Sequence, residues 1–179
     1  MLQKSSMQLV AEVFFLLPTK NHTLKDISNR IKIAHTSVKK NLKNLIKMRL
    51  VGQMIEKKGK RRFPIYKANK DYKLFIQYKK MYNLQSIMES GIIPYLEKEL
   101  MPACIVLFGS FQRGEDTEES DIDLFIESEK KDVQVKQFEK NLGRKIEIHF
   151  KEHFMSYPKE LKNNIINGTV LHGFLEGYK

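Results

Sequence analysis

The stretch LFGSFQRGEDTEESDIDLFIE, Leu107 to Glu127, decides how the second half of this chain is read. It begins inside ACIVLF (103–108), a continuous apolar run suited to a central strand, and Gly109-Ser110 breaks that run where a helix can begin. At its far end Ile122, Leu124 and Ile126 alternate with Asp121, Asp123 and Phe125. Strand geometry sends alternate side chains to opposite faces, so the aliphatics enter a core and the two carboxylates share the other side. Like charges this close repel, and protonating one or binding a cation relieves them. Magnesium takes one or two carboxylates together with phosphate oxygens and water. A strand that ends at a small-residue turn leaves backbone N–H groups for such a phosphate, and the N-terminus of a following helix adds partial positive charge.

Outward from that stretch, RKIEIHF (144–150) repeats the alternation, with Ile146, Ile148 and Phe150 on one face and Lys145, Glu147 and His149 on the other. Glu147 is therefore a candidate third ligand. His149 and His153 also stand at a metal-like separation, but a strand followed by a loop does not align that spacing as a helix does, so neither is expected to ligate. The acidic run Glu115, Asp116, Glu118 and Glu119 reads as a solvated loop, in which Ser120 alone is expected to matter for local geometry.

Gly109-Ser110, three residues, Gly114, five residues and Ser120-Asp121-Ile122-Asp123-Leu124 together resemble the signature of the polymerase-β-like nucleotidyltransferase superfamily. The small size of this half of the chain suits the minimal nucleotidyltransferase group, and the resemblance extends over residues 92–175, through GRKIEIHF and IINGTVLHGFLE. It implies a small mixed sheet with flanking helices. It implies that Gly109, Ser110, Arg113 and Ser120 hold the phosphates of a nucleoside triphosphate, ATP first. Asp121, Asp123 and Glu147 become the catalytic carboxylates and the ligands of two Mg2+ ions, although glutamate at 147 departs from the aspartate frequent in the family. The implied chemistry is in-line transfer of a nucleoside monophosphate to an acceptor hydroxyl, with pyrophosphate leaving. The acceptor implied is a protein, including a partner toxin, or a small molecule.

Charge divides the chain. Residues 1–70 hold 17 Lys or Arg against three acids, Glu12, Asp26 and Glu56, whereas residues 101–179 hold 11 basic against 14 acidic side chains. A basic segment this one-sided suggests a polyanion partner, nucleic acid first and an anionic membrane surface second. No stretch has the length of a membrane span, and Glu12 interrupts LVAEVFFLLP (9–18), which no small-residue cleavage site follows. The single cysteine, Cys104, has apolar neighbours and reads as an inert core thiol in a reducing compartment. A soluble cytoplasmic protein with no membrane partner is the expectation.

Within the basic segment the apolar spacing predicts helices over 6–17, after Thr23, and around Val38, Leu42 and Leu45. Thr23 with Asp26 three residues later resembles a capping box. VGQMIE and FPIYKA then read as short strands around the loop KKGKRR, with Gly59 supplying the turn. TLKDISNRIKIAHTSVKKNLKNLIKMRLVGQMIEKKGKRRFPIYKA resembles the winged helix-turn-helix family over about the first seventy positions. The resemblance implies a recognition helix in the major groove of double-stranded DNA, bringing Thr36, Ser37, Lys40 and Lys43 to it, and a wing whose Lys57, Lys58, Lys60, Arg61 and Arg62 touch phosphates. Winged helices also serve as protein-interaction modules, and that alternative stays open.

Tyr72, Phe75, Ile76, Met81, Leu84, Ile87 and Met88 mark an apolar stripe on a helix ending near Gly91, and PYLEKEL begins another. The long helix either packs domains together or pairs with its twin in a homodimer. The expected organisation is α+β: a winged helix-turn-helix domain at 1–70, a helical connector at 71–91, and a nucleotidyltransferase domain with a mixed sheet and flanking helices at 92–179. Three functions compete. The first is a nucleotidyltransferase localised or regulated through DNA, the second a transcriptional regulator whose transferase domain only senses nucleotide, and the third a protein-binding adaptor.

Overall fold

The computed structural model describes residues 3–150 and 154–176. The chain divides into two compact units, Met1–Lys79 and Lys80–Lys179. In the first, helix α1 (Ser6–Leu16) starts at a capping box in which the Ser5 hydroxyl accepts from the Gln8 amide and the Gln8 side chain accepts from the Ser5 amide. It buries Val10, Val13 and Phe14 and stops ahead of Pro18. Strand β1 (His22–Thr23) leads into α2 (Leu24–Ile31), whose predicted cap is present: the Asp26 carboxylate accepts from the Thr23 amide at 2.9 Å and from its hydroxyl at 2.7 Å. Helix α3 (His35–Lys47) buries Val38, Leu42 and Leu45, as their spacing requires, and also Asn41, which donates to the Ser6 hydroxyl at 3.0 Å.

Strands β2 (Val51–Lys58) and β3 (Arg61–Ala68) form an antiparallel hairpin, and β1 pairs with the far side of β3 to give the order β1-β3-β2. The expected six-residue loop contracts to a two-residue turn, because Lys57 pairs with Arg62 and Lys58 with Arg61. Gly59, at φ 60°, allows that turn. Helix α4 (Lys73–Ser90) follows, and the division between units falls within it. Its buried positions, Phe75, Lys79, Asn83 and Ile87, lie four apart, whereas Met81 and Met88, also on the expected apolar stripe, are each 67% exposed. Helical geometry fixes the inward row, and here two of its positions are polar, which a purely apolar pattern misses.

The second unit continues with α5 (Ile92–Leu100), β4 (Cys104–Phe108), α6 (Gly109–Arg113), β5 (Ile122–Glu127), α7 (Lys136–Leu142), β6 (Ile146–Phe150), α8 (Lys159–Ile166) and β7 (Thr169–Gly173). The sheet order is β6-β5-β4-β7, with β5 and β6 parallel and β4 antiparallel to both β5 and β7. One face carries Ile105, Leu107, Ile122, Leu124, Ile126 and Ile146 into a core closed by Leu96 of α5 and Phe138 of α7. The opposite face carries Cys104, Val106, Phe108 and Phe125 against Phe154 and Ile165. Burial pushes the Cys104 thiol up to about 11, so it stays protonated and inert at neutral pH. Both units are mixed α and β. Among the described residues no helix is long and apolar enough to cross a membrane.

Candidate active site

The second face of the sheet changes character along β5. Phe125 is fully buried, edge-on to Phe154 and Tyr157 at centroid distances of 6.0 and 5.5 Å. Two residues upstream, period-two geometry puts Asp123 on the same face, beyond the cover of those rings. Antiparallel pairing sets Phe108, the last residue of β4, beside Asp123. Parallel pairing sets Glu147 beside Asp123 and His149 beside Phe125. Two sheet registers, each held by buried aliphatics on the opposite face, thus bring two carboxylates and an imidazole together.

Gly109 closes the site from the β4 side. It adopts φ 77°, and a Cβ built there would collide with the Asp123 carboxylate. Only glycine lets the turn approach so closely while holding a left-handed conformation. Ser110 follows in the first turn of α6, partly buried, its carbonyl accepting from the Glu115 amide at 3.0 Å.

His149 Nε2 lies 3.8 Å from Asp123 Oδ1 and 3.7 Å from Glu147 Oε1, too far for ordinary hydrogen bonds. Its ring stands 5.2 Å from that of Phe108, tilted by 60°. The polar contact with Asp123 raises the imidazole's pKa above its usual value, burial opposes the rise, and Glu147 adds to it. Asp123, Glu147 and His149 offer donor atoms that all lie within 4.8 Å of one another, an arrangement able to hold a metal ion. The reading that set His149 aside looked along the chain toward His153, which lies outside the described residues. The informative signal was its two-residue separation from Glu147, which puts both on one strand face.

Other predicted residues are distributed around this group. Asp121 lies one position before β5, outside the three-donor group, and lines a cleft of about 560 Å3 with Ser120, Lys136, Lys140, Arg144 and Lys145. Arg113 is half exposed, its Nε donating to the Glu115 carboxylate at 2.7 Å. The Ser120 hydroxyl accepts from the Thr117 amide at 2.9 Å and so shapes the turn before Asp121. In the first unit, Thr36, Lys40 and Lys43 are exposed on α3 and Ser37 is half-buried; Lys57, Lys60, Arg61 and Arg62 are exposed on the hairpin, and the Lys58 side chain lies outside the described residues.

Asp116 corrects the expectation of a wholly solvated acidic loop. It is only 2% exposed; Asn83 of α4 donates to its Oδ1 at 2.7 Å, and Arg144 approaches Oδ2 at 3.8 Å. The same Asn83 amide donates to the Phe111 carbonyl at 2.8 Å, tying the end of α6 to the loop that leads to Asp121. Nothing local in the sequence marks these three residues.

The second unit thus sets a glycine-serine turn against a carboxylate pair on a small mixed sheet. Residues 90–173 match the family model described as Polymerase beta, Nucleotidyltransferase, a span that contains every residue of the site. Comparison with curated proteins and with solved structures gave no match.

Proposed function

We propose that the second unit is a divalent-metal-dependent nucleotidyltransferase, moving a nucleoside monophosphate from a nucleoside triphosphate, ATP first, to a hydroxyl of a protein or small molecule. The observation that carries this reading is the wedge of Gly109 against Asp123, in register with Glu147, inside the span that matches the family. A phosphate-binding turn and a metal-binding carboxylate must be adjacent for one ion to touch both, and here no β-carbon separates them. The Gly109-Ser110 turn orients the triphosphate through its amides and the Ser110 hydroxyl. Asp121, Asp123 and Glu147 hold the ions, two Mg2+ in the reading from resemblance. When bound, such ions lower the pKa of the acceptor hydroxyl and neutralise charge on the departing pyrophosphate. Arg113 reaches a phosphate only by leaving Glu115, whereas Ser120 acts by fixing the turn that presents Asp121.

The first unit is proposed as a winged helix that holds duplex DNA. Support comes from its order, helix, strand, two helices and a hairpin, and from the exposed cations of α3 and the hairpin. The test is incubation of the full chain with Mg2+ and labelled nucleoside triphosphates, with and without cell extract. Covalent label that appears with the native chain and vanishes with Asp123→Ala is expected. No pyrophosphate release with any triphosphate, but DNA binding that responds to ATP, would replace the enzyme by a nucleotide-sensing regulator.

A further inference from the structure

We infer that His149 is a direct ligand of the ion held by Asp123 and Glu147, so that the site prefers a first-row transition ion accepting nitrogen, of the manganese-to-zinc series, over magnesium. The inference rests on the reading of this face as a metal-dependent transfer site, and adds a nitrogen donor that the carboxylate motif does not contain.

Three observations carry it. First, the two gaps from His149 Nε2, 3.8 Å to Asp123 Oδ1 and 3.7 Å to Glu147 Oε1, exceed hydrogen-bond range. Two bonds of about 2.1 Å to a shared ion span up to about 4.2 Å, so both gaps suit donors meeting at one ion. Second, Nε2 is sealed from solvent and has no hydrogen-bond partner among the described residues, although the imidazole side chain as a whole is 23% exposed. A buried ring nitrogen facing two carboxylate oxygens has an evident use as a ligand. Third, the position is built by the sheet. Glu147 and His149 project from one face of β6, the parallel register with β5 sets Asp123 beside them, and the Phe108 ring confines the imidazole at 5.2 Å. Gly109 leaves the opposite side of Asp123 free of a β-carbon.

Donor chemistry then decides the ion. Magnesium is hard, keeps its waters and takes oxygen ligands, whereas two carboxylates with one imidazole form a set that zinc and its neighbours accept, with further positions open to water or substrate. The preference is therefore a property of the metal-free chain, independent of turnover.

Calorimetric titration of the chelator-treated full chain with Mn2+, Zn2+ and Mg2+ in turn tests the assignment, alongside His149→Ala, His149→Gln and Asp123→Ala. Wild type should bind the transition ions at least about a hundredfold more tightly than Mg2+. Both His149 variants should lose about ten- to a hundredfold of transition-ion affinity while Mg2+ affinity moves by less than about threefold, collapsing the ratio. A ratio unchanged in both variants, with far-ultraviolet circular dichroism showing them folded, overturns the nitrogen ligand. Asp123→Ala should weaken every ion. If it leaves all of them unaffected, the underlying metal site itself fails, which is a different result from the failure of His149 alone. The two His149 substitutions differ in shape, so a folding defect in one leaves the other to decide.

Discussion

The basic hairpin β2–β3 and the carboxylate face of β4, β5 and β6 are both sheet surfaces crowded with charge, yet they are built on opposite principles. On the hairpin, Lys57, Lys60, Arg61 and Arg62 are exposed around an open turn, and what they would contribute to binding a polyanion is a sum of nearly independent terms. On the carboxylate face each group is fixed by the next: Gly109 against Asp123, Asp123 beside Glu147, His149 beside both. Additive surfaces tolerate the loss of any one member, whereas interlocked ones do not.

The sharpest way to break that contrast is Asp123→Ala. If the Gly109-Ser110 turn holds phosphate and Asp123 shares a metal ion with Glu147, as proposed, loss of this carboxylate should lower transfer by about a thousandfold, with the fold retained. Residual activity above a tenth of wild type in a labelled-nucleotide assay would mean that the face is not interlocked.

Two glycines sharpen it further, because both hold positive φ and only their surroundings differ. At Gly59, φ 60°, nothing among the described residues beyond its chain neighbours lies within 4 Å of an added Cβ, so Gly59→Ala should cost about 1 kcal/mol from backbone conformation alone. At Gly109, φ 77°, the same methyl strikes the Asp123 carboxylate, so Gly109→Ala should cost about 2–4 kcal/mol and reduce transfer about a hundredfold. Chemical denaturation of the two variants checks the difference, and equal losses would remove the distinction.

Next in size is the buried support beneath the loop. Asp116→Ala removes, in a desolvated place, the carboxylate to which the Asn83 amide donates and which the Arg144 guanidinium approaches, an expected loss of about 2–4 kcal/mol by denaturant midpoint. Glu119→Ala, on the exposed part of the same acidic run, should change stability by less than about 0.5 kcal/mol.

That difference explains what was legible in the sequence. The alternation of Ile122, Leu124 and Ile126 with Asp123 and Phe125 is local and periodic, so the strand and its two faces could be read directly, whereas Asp121 lies one position before the strand and outside the three-donor group. The same holds for Glu147 and for the Thr23–Asp26 cap. Asp116 could not be read, because its partners are 33 residues away at Asn83 and in the turn before β6 at Arg144. His149 is intermediate: its face was legible, but its partners lie across the sheet, not further along the chain. Strand β1, two residues long, is too short to show any period.

A smaller effect comes from the pH response of the metal-free face. Contact with Asp123, then Glu147, raises the folded pKa of His149 above 6.5 despite burial. The stabilisation is therefore fully present below pH 6.5 and is lost as pH rises through the folded value. Thermal unfolding of chelated chain, titrated upward from below pH 6.5, should show a decline that His149→Asn flattens. An unchanged slope would detach the imidazole from the carboxylates.

The smallest effect per residue belongs to the hairpin, where the reading of additive charge is itself at stake. Lys60, Arg61 and Arg62 lie at and just after the Gly59 turn, each exposed, so removing one releases no buried partner and should leave the melting temperature within about a degree. If each touches a DNA phosphate, each removal lowers the slope of log affinity against log salt by about 0.9, and the triple alanine variant by about 2.7. Stepwise loss over single, double and triple variants is the mark of independent counterion release, read from fluorescence anisotropy on a duplex across a salt series. A single variant that abolished binding would instead place one cation in a fixed contact of the interlocked kind. No change in the triple variant would leave the hairpin a solvated surface and move the first unit's partner from DNA to protein.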